Sequence, residues 1–295
     1  MGELVGADGV WRLKAVGGRM VHRARRRDIS AALEWASRLG YAARGMVYLG
    51  LGAVVFLAAV DLTPKAQGAK AMLAAWAQWP IGLIIIAVIG GGLVGFSAWR
   101  GLQAVFDADR HGTRPKGWAI RVGQAISGVI YGALAWSAFE LLDQFEDVGE
   151  ADEDQSAHAL AAGVLAMPYG DLVLLILGLV MLGVGAGNII QGLAQDFGKR
   201  LGCSETVCRR VVPLARFGYS ARGLATLPTG LFLIKAGLDA QSRDARSWGG
   251  ALQAIEGKPF GSWALGVVAL GLMAFGAFGL VEAAFRRIRP PSEII

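Results

Sequence analysis

Three histidines and two cysteines are the whole supply of soft metal ligands and thiol nucleophiles in this 295-residue chain. No Gly-x-Ser-x-Gly elbow, Walker loop or His-Glu-x-x-His motif is present. Zinc at Cys203 and Cys208 would need two more ligands, with His22 and His111 the candidates on the same side. A disulfide between these cysteines is not expected in a reducing compartment. The expectation is therefore neither an enzyme nor a metal or cofactor site. What remains is a set of polar side chains in apolar surroundings: Arg44, Arg100, Gln103, Asn188, Gln191, Arg222 and Glu282. Arg100 and Asn188 lie three residues before Gln103 and Gln191, so each pair shares a helix face. Glu282 is the one carboxylate of the set and needs a cation; Arg44 and Arg222 are the natural candidates. The set reads either as a substrate or ion site, or as interhelical glue. Snorkelling to the headgroups is the further reading of Arg44 and Arg222.

The elements that must hold these residues are membrane spans. Hydrophobic residues make up 54% of the chain, charged residues 18%, and there are 43 glycines. That composition excludes a disordered, collagen-like or disulfide-rich secreted chain. A bilayer core about 30 Å thick takes about 20 apolar residues of helix. Six stretches approach this: 39–60, 81–106, 121–142, 170–194, 217–238 and 261–285. The fifth is the weakest, broken by Arg222, Pro228 and Lys235. Basic residues concentrate in segment 1–44, the 100–121 and 199–222 connections and the tail, which places both termini in the cytoplasm. The net charge of +6 follows from that asymmetry and does not argue for nucleic acid. No secretory signal is expected ahead of the first span. The basic tail, 1–35, is expected to meet anionic lipid headgroups. The acidic stretch from Asp143 to Asp154 reads as a solvated loop, without the ligand spacing of a calcium site. Gly91-x-x-x-Gly95, Gly128-x-x-x-Gly132 and Gly183-x-x-x-Gly187 read as helix-packing motifs.

The spans repeat in pairs. Arg38-Leu39-Gly40-Tyr41-Ala42-Ala43-Arg44-Gly45 returns as Arg216-Phe217-Gly218-Tyr219-Ser220-Ala221-Arg222-Gly223, and in degraded form as Arg121 to Gly128. Each even span is announced by Pro80-Ile81-Gly82, Pro168-Tyr169-Gly170 or Pro259-Phe260-Gly261. Twenty-one residues after each of those glycines stands Gln103, Gln191 or Glu282. Small-residue stretches before the prolines, such as Ala69 to Trp79 and Ala157 to Met167, read as short outer helices. The units are repeat 1 (36–110), repeat 2 (111–200) and repeat 3 (201–289), with a tail at 290–295.

This pattern resembles the bacterial three-repeat membrane family known only as domain of unknown function 1206, through its Ala-Arg-Gly start and Pro-Phe-Gly hinge. The resemblance covers roughly residues 36–287, with Ile126-Ser127-Gly128 departing from the start motif. It implies an all-α bacterial plasma-membrane protein of six transmembrane helices, and it brings no established activity. Three hairpins entering from one side imply a pseudo-threefold axis along the membrane normal. The plan is similar to that of the mitochondrial carriers, but their Pro-x-acid-x-x-base signature follows none of the prolines. The expected function is a structural or interaction protein; the alternative is a small transporter or channel along that axis.

Overall fold

The computed structural model describes residues 34–35, 37–63, 68–107, 112–143, 153–202 and 204–286. The first 33 residues, most of the acidic stretch, and His22, His111 and Cys203 lie outside them. Six long helices are α1 (Ser37–Ala59), α3 (Gly82–Phe106), α4 (Pro115–Asp143), α6 (Gly170–Ala194), α7 (Glu205–Leu238) and α9 (Gly261–Phe285). Three short helices, α2 (Ala69–Ala77), α5 (Glu153–Leu165) and α8 (Trp248–Glu256), precede the even spans. Five long helices are long and apolar enough to cross a membrane. The exception is α7, which has the length at 34 residues but carries Arg209, Arg210, Arg216, Arg222 and Lys235. The expected break in it is corrected: α7 runs continuously through both Pro213 and Pro228.

The hinge motif has a steric cause. A methyl group at Gly82 would lie 1.6 Å from the Trp76 carbonyl, one at Gly170 2.0 Å from that of Val164, and one at Gly261 2.1 Å from that of Ile255. Only glycine lets the long helix start so close beneath the end of the short one. Each hinge glycine also donates its N–H to a carbonyl three residues back, at 2.8–3.0 Å. The hinge aromatics Tyr169 and Phe260 take left-handed backbone at φ 61° and 63°. They and Trp79 and Trp263 are exposed at this end of the helices, where amphipathic rings suit a headgroup layer.

The start motif carries two glycines with different partners. The first makes room within its own repeat: a Cβ at Gly40 would stand 2.7 Å from Phe96 Cβ, and one at Gly218 2.9 Å from Phe275 Cβ. The second faces the neighbouring repeat: Gly45 meets the Gly276 carbonyl of α9, Gly223 the Gly185 carbonyl of α6, and Gly128 the Arg100 Cβ of α3. Helices therefore follow one another as α4, α3, α1, α9, α7 and α6. A closed threefold ring would also need a close seam between α4 and α6, and these two helices are not among the extensively packed pairs of the described residues. The reason lies in repeat 2. Val184 stands where the other repeats have Phe96 and Phe275, and a Cβ at Gly123 would meet nothing within 4 Å. Among the described residues the extensive packing thus runs in one order, with α4 and α6 at its two ends.

The Gly-x-x-x-Gly expectation holds for α4, where Gly128 and Gly132 pack on α3. It fails at Gly91, Gly183 and Gly187, which face open space. On α6 the packing glycines are instead Gly178, Gly185 and Gly192, seven residues apart along one stripe against α7.

Above the polar level the space between α1, α7 and α9 is filled by apolar side chains. Val55 and Ala58 of α1, Ala225 of α7, Leu252 of α8 and Leu265, Ala269 and Leu272 of α9 form one apolar cluster, each at most 1% exposed. The short helices are tied over it by the end of the acidic stretch. Glu153 accepts the Ala71 N–H of α2 at 2.9 Å, and Asp154 accepts the N–H and hydroxyl of Ser247, the N-cap of α8. Glu153 and Asp154 are thus structural bridges, which corrects their reading as solvated loop residues.

Candidate functional site

The polar centre sits where α1, α3, α7 and α9 converge. Arg44, one turn beyond Gly40, is 1% exposed. Its Nη2 donates to Glu282 Oε2 at 2.5 Å. Arg286 Nη1 donates to the other oxygen, Oε1, at 2.5 Å, one helical turn further along α9. Glu282 is therefore held between two arginines and is itself 3% exposed. The close approach of α1 is allowed by Gly279, whose absent side chain would lie 2.9 Å from Gly45 Cα. The equivalent positions in the other repeats carry Arg100 and Asn188.

Two more arginines complete the centre. Arg100 donates to Gln103 Oε1 at 3.1 Å, and Gln103 is wholly buried. Arg222 reaches Asn188 Oδ1 at 3.4 Å, while Asn188 itself donates to the Val184 carbonyl at 2.8 Å. The structure thus joins Arg44 with Glu282, Arg100 with Gln103 and Arg222 with Asn188. Arg222 is not the partner of Glu282. Gln191 is half-buried, and no side-chain hydrogen bond joins it to these residues among those described.

Aromatic rings link the pairs. Phe96 lies under both Arg100, at 5.0 Å, and Arg44, at 5.1 Å; Phe275 lies under both Arg44 and Arg222, each at 4.9 Å. The result is an alternating ladder, Arg100–Phe96–Arg44–Phe275–Arg222. Tyr41 lies beneath Arg44 and Arg286, and Tyr48 beneath Arg222. The Tyr48 hydroxyl stands 3.3 Å from that of Tyr131, which brings α4 into the centre. Sequence reasoning missed Arg286 and both phenylalanines. The signals were available: Arg286 is four residues past Glu282, and Phe96 and Phe275 each stand seven residues before Gln103 and Glu282.

The charges do not balance. Four guanidinium groups meet one carboxylate among the described residues. A cation–ring contact offsets about 0.5–2 kcal/mol. The penalty for taking an ion out of water is several kcal/mol per ion even after relaxation. Rings alone therefore do not compensate Arg100 and Arg222, whose hydrogen bonds go to neutral amides. Among the described residues, Nε of Arg44 and of Arg100 has no hydrogen-bond partner, nor does the Trp99 Nε1 or the Tyr41 hydroxyl.

Elsewhere, conserving the backbone of helix ends is left to a repeated arginine. Arg38 donates to the carbonyls of Ala283 and Ala284 at 2.7 and 2.8 Å, capping α9. Arg121, its counterpart, donates to those of Ala104 and Val105 at 2.7 and 2.8 Å, capping α3. Arg216, the third, is exposed and caps nothing among the described residues. At the opposite end of α7, Lys235 bonds Asp244 at 2.7 Å and lies 3.8 Å from Asp239, its expected partner. No cluster of three metal-ligating side chains occurs among the described residues. Cys208 is disulfide-bonded, which corrects the expectation of free thiols. That expectation rested on the compartment, which does not enter the geometry of the connection.

A family model described as Domain of Unknown Function (DUF1206) matches the chain three times, at residues 39–107, 122–195 and 217–286. A relative from Bacillus subtilis (strain 168), "Uncharacterized protein YxxB", is 28% identical over 254 residues, covering 85% of this chain and 90% of its own. No solved structure matches. The matched segments are the three helix pairs, and each contains one of Gln103, Gln191 and Glu282.

Proposed function

The chain belongs to the DUF1206 family, and on that premise we propose that it is a six-span protein of the bacterial plasma membrane with a structural or interaction role. In this reading α7 is the sixth span, its charges Arg222 and Lys235 being engaged with Asn188 and Asp244 rather than lipid. Both termini are cytoplasmic, because the basic connections all fall on one side. Lipid is the surrounding partner, met by exposed apolar side chains such as Val129, Trp136, Leu179 and Ile190.

The observation that favours this role over a channel is the apolar layer of Val55, Ala58, Ala225, Leu265, Ala269 and Leu272. A conducting path that runs between α1, α7 and α9 would have to pass through these side chains. Neither nucleophile nor paired acid and base stands in the centre, so no catalytic role is proposed. Two experiments test the reading. Purified protein in liposomes should give no anion or cation flux above empty vesicles; a flux abolished by Glu282→Gln would establish the transporter instead. In a cysteine-free background, cysteines at Gln155 and Ser242 should react with an impermeant thiol reagent in intact cells, and those at Gly112 and Ser204 should not. Labelling at Gly112 would overturn the topology.

A further inference from the structure

The exposed face of α7 changes character along its length. Arg209, Arg210 and Arg216 stand on it first, and Phe217, Leu224 and Leu231 continue it. Spacings of seven residues, or one more, keep these side chains on one side of the helix. The opposite side, through Val211, Ala215 and Tyr219, is buried in the cluster that holds Phe275 and Phe278 of α9. The face turns from basic to apolar between Arg216 and Phe217. The last turn of α6 stands at that level: a Cβ at Gly192 would lie 2.8 Å from the Arg216 carbonyl, and Leu193 next to it is exposed. The helix begins at Glu205, so it runs about 18 Å past its apolar part. Arg209, Arg210 and Arg216 make no hydrogen bond, ion pair or ring contact among the described residues. Arg38 and Arg121, the counterparts of Arg216, are instead committed to the ends of α9 and α3.

We propose that this face of α7 holds an anionic phospholipid, with its headgroup at Arg216 in the field of Arg209 and Arg210 and an acyl chain along Phe217, Leu224 and Leu231. The inference rests on the reading of α7 as the sixth span. A headgroup layer is about 5–7 Å deep. Arg216, beside the first apolar residue of the face, lies within it. Arg209 and Arg210 are about 10 Å further along the helix, at its aqueous edge and about one Debye length from the phosphate level. A guanidinium fork matches phosphate oxygens, and Arg216 has no carboxylate to take its donors. Three unpaired positive charges select net negative charge, because the cation of a zwitterionic headgroup is repelled while its phosphate is attracted. A free phosphate or an acidic protein would satisfy the arginines but not the apolar side chains that continue the same face. An amphiphile satisfies both.

Full-length protein in a neutral detergent is titrated separately with phosphatidylglycerol and phosphatidylcholine, and bound lipid is counted by native mass spectrometry. Phosphatidylglycerol should bind about tenfold more tightly than phosphatidylcholine, and inorganic phosphate should not displace it. Arg209→Gln, Arg210→Gln and Arg216→Gln together should remove that preference and leave phosphatidylcholine binding unchanged. The basic N-terminal segment is present in every sample, so the difference between variant and parent belongs to α7. The three arginines bond nothing among the described residues, so the lipid-free unfolding temperature should stay that of the parent. The corresponding triple lysine variant keeps the charge and should bind phosphatidylglycerol within about threefold of the parent. Lys258→Gln, in the connection before α9, should bind as the parent does. The proposal is overturned if phosphatidylglycerol binds no tighter than phosphatidylcholine, if inorganic phosphate displaces it, or if the glutamine variant keeps the preference. It is equally overturned if the lysine variant loses as much as the glutamine one. Cysteine labelling scores the topology separately: outward labelling at Gly112 fails that reading with the lipid preference intact, whereas a lost preference with the expected labelling fails this site alone.

Discussion

Repeats 1 and 3 each pack their own two long helices together, whereas the two long helices of repeat 2 pack on their neighbours, α4 on α3 and α6 on α7. The three units share hinge, start motif and terminal polar residue, so the difference is confined to a few side chains. Where repeats 1 and 3 pair Gly40 with Phe96 and Gly218 with Phe275, repeat 2 has Gly123 and Val184 with nothing between them. Where they carry Arg44 and Arg222, it carries Ser127. A duplicated hairpin keeps its fold through the hinge and the second glycine. Its place in the assembly is decided by the ring that fills the first glycine's gap and by the charge that rests on that ring.

The largest effect should come from the terminal polar residue. Glu282→Leu leaves Arg44 buried without its carboxylate, and a broken buried pair costs about 3–5 kcal/mol. The equivalent Gln191→Leu breaks no ion pair and should cost under about 0.5 kcal/mol. Chemical unfolding in detergent compares the two; equal losses would dissolve the distinction between the repeats. Glu282→Gln retains hydrogen bonding but not charge, and should fall between them.

The first glycine of each start motif gives a sharper contrast. Gly40→Ala and Gly218→Ala place a methyl group against the Phe96 and Phe275 backbones, within 2.8 Å in either case. Overpacking of this kind costs about 1–3 kcal/mol. Gly123→Ala meets open space and should be neutral or stabilising by up to about 1 kcal/mol through helix propensity. Destabilisation by Gly123→Ala would mean that repeat 2 does close upon itself.

Much of this was legible in the sequence, and the limits have physical causes. Span positions, the short helices before the even spans and the repeat register follow from apolar length and recurring glycines. The pairing of Arg44 with Glu282 follows from the need of a buried carboxylate for a cation. The second partner, Arg286, was obscured because its position in a basic terminal segment suggested topology rather than pairing. The working glycines of α6 were missed because they recur every seven residues rather than four, a spacing that keeps one face over two turns. The lack of extensive α4–α6 packing was hidden for another reason. Repeats imply symmetry, and only the packing of one valine in place of phenylalanine tells where symmetry stops.

Capping should separate the repeats by a smaller margin. Arg38→Ala uncaps α9 and Arg121→Ala uncaps α3, each removing two charge-assisted bonds to carbonyls. A loss of about 1–2 kcal/mol is expected for each. Arg216→Ala, at the corresponding place within α7, should be silent within about 0.5 kcal/mol. Hydrogen exchange at the last turns of α3, α6 and α9 reads the same comparison locally: α3 and α9 should fray in their variants, and α6 should not change.

The connections between the two long helices of repeats 2 and 3 should respond to pH with opposite sign, and this is the smallest effect. In repeat 2, burial pushes the Glu153 carboxyl above its ordinary range, against the bond it accepts from Ala71. A raised carboxyl favours the protonated form on folding, so its contribution is full below the unfolded value and is lost as pH rises through the folded one. In repeat 3, the hydrogen bond from Lys235 holds the Asp244 carboxyl below its ordinary range. That contribution is present at neutral pH and is lost as pH falls through the lowered value. Glu153→Gln imitates the protonated acid and should raise the unfolding temperature slightly at neutral pH, with the gain fading toward about pH 4. Asp244→Asn should lower it slightly at neutral pH, with the loss vanishing only at still lower pH. Asp244 is at the surface, so added salt should shrink its effect and leave that of Glu153 nearly unchanged. Parallel rather than opposed pH profiles for the two variants would show that the acids of repeat 2 and repeat 3 do the same work.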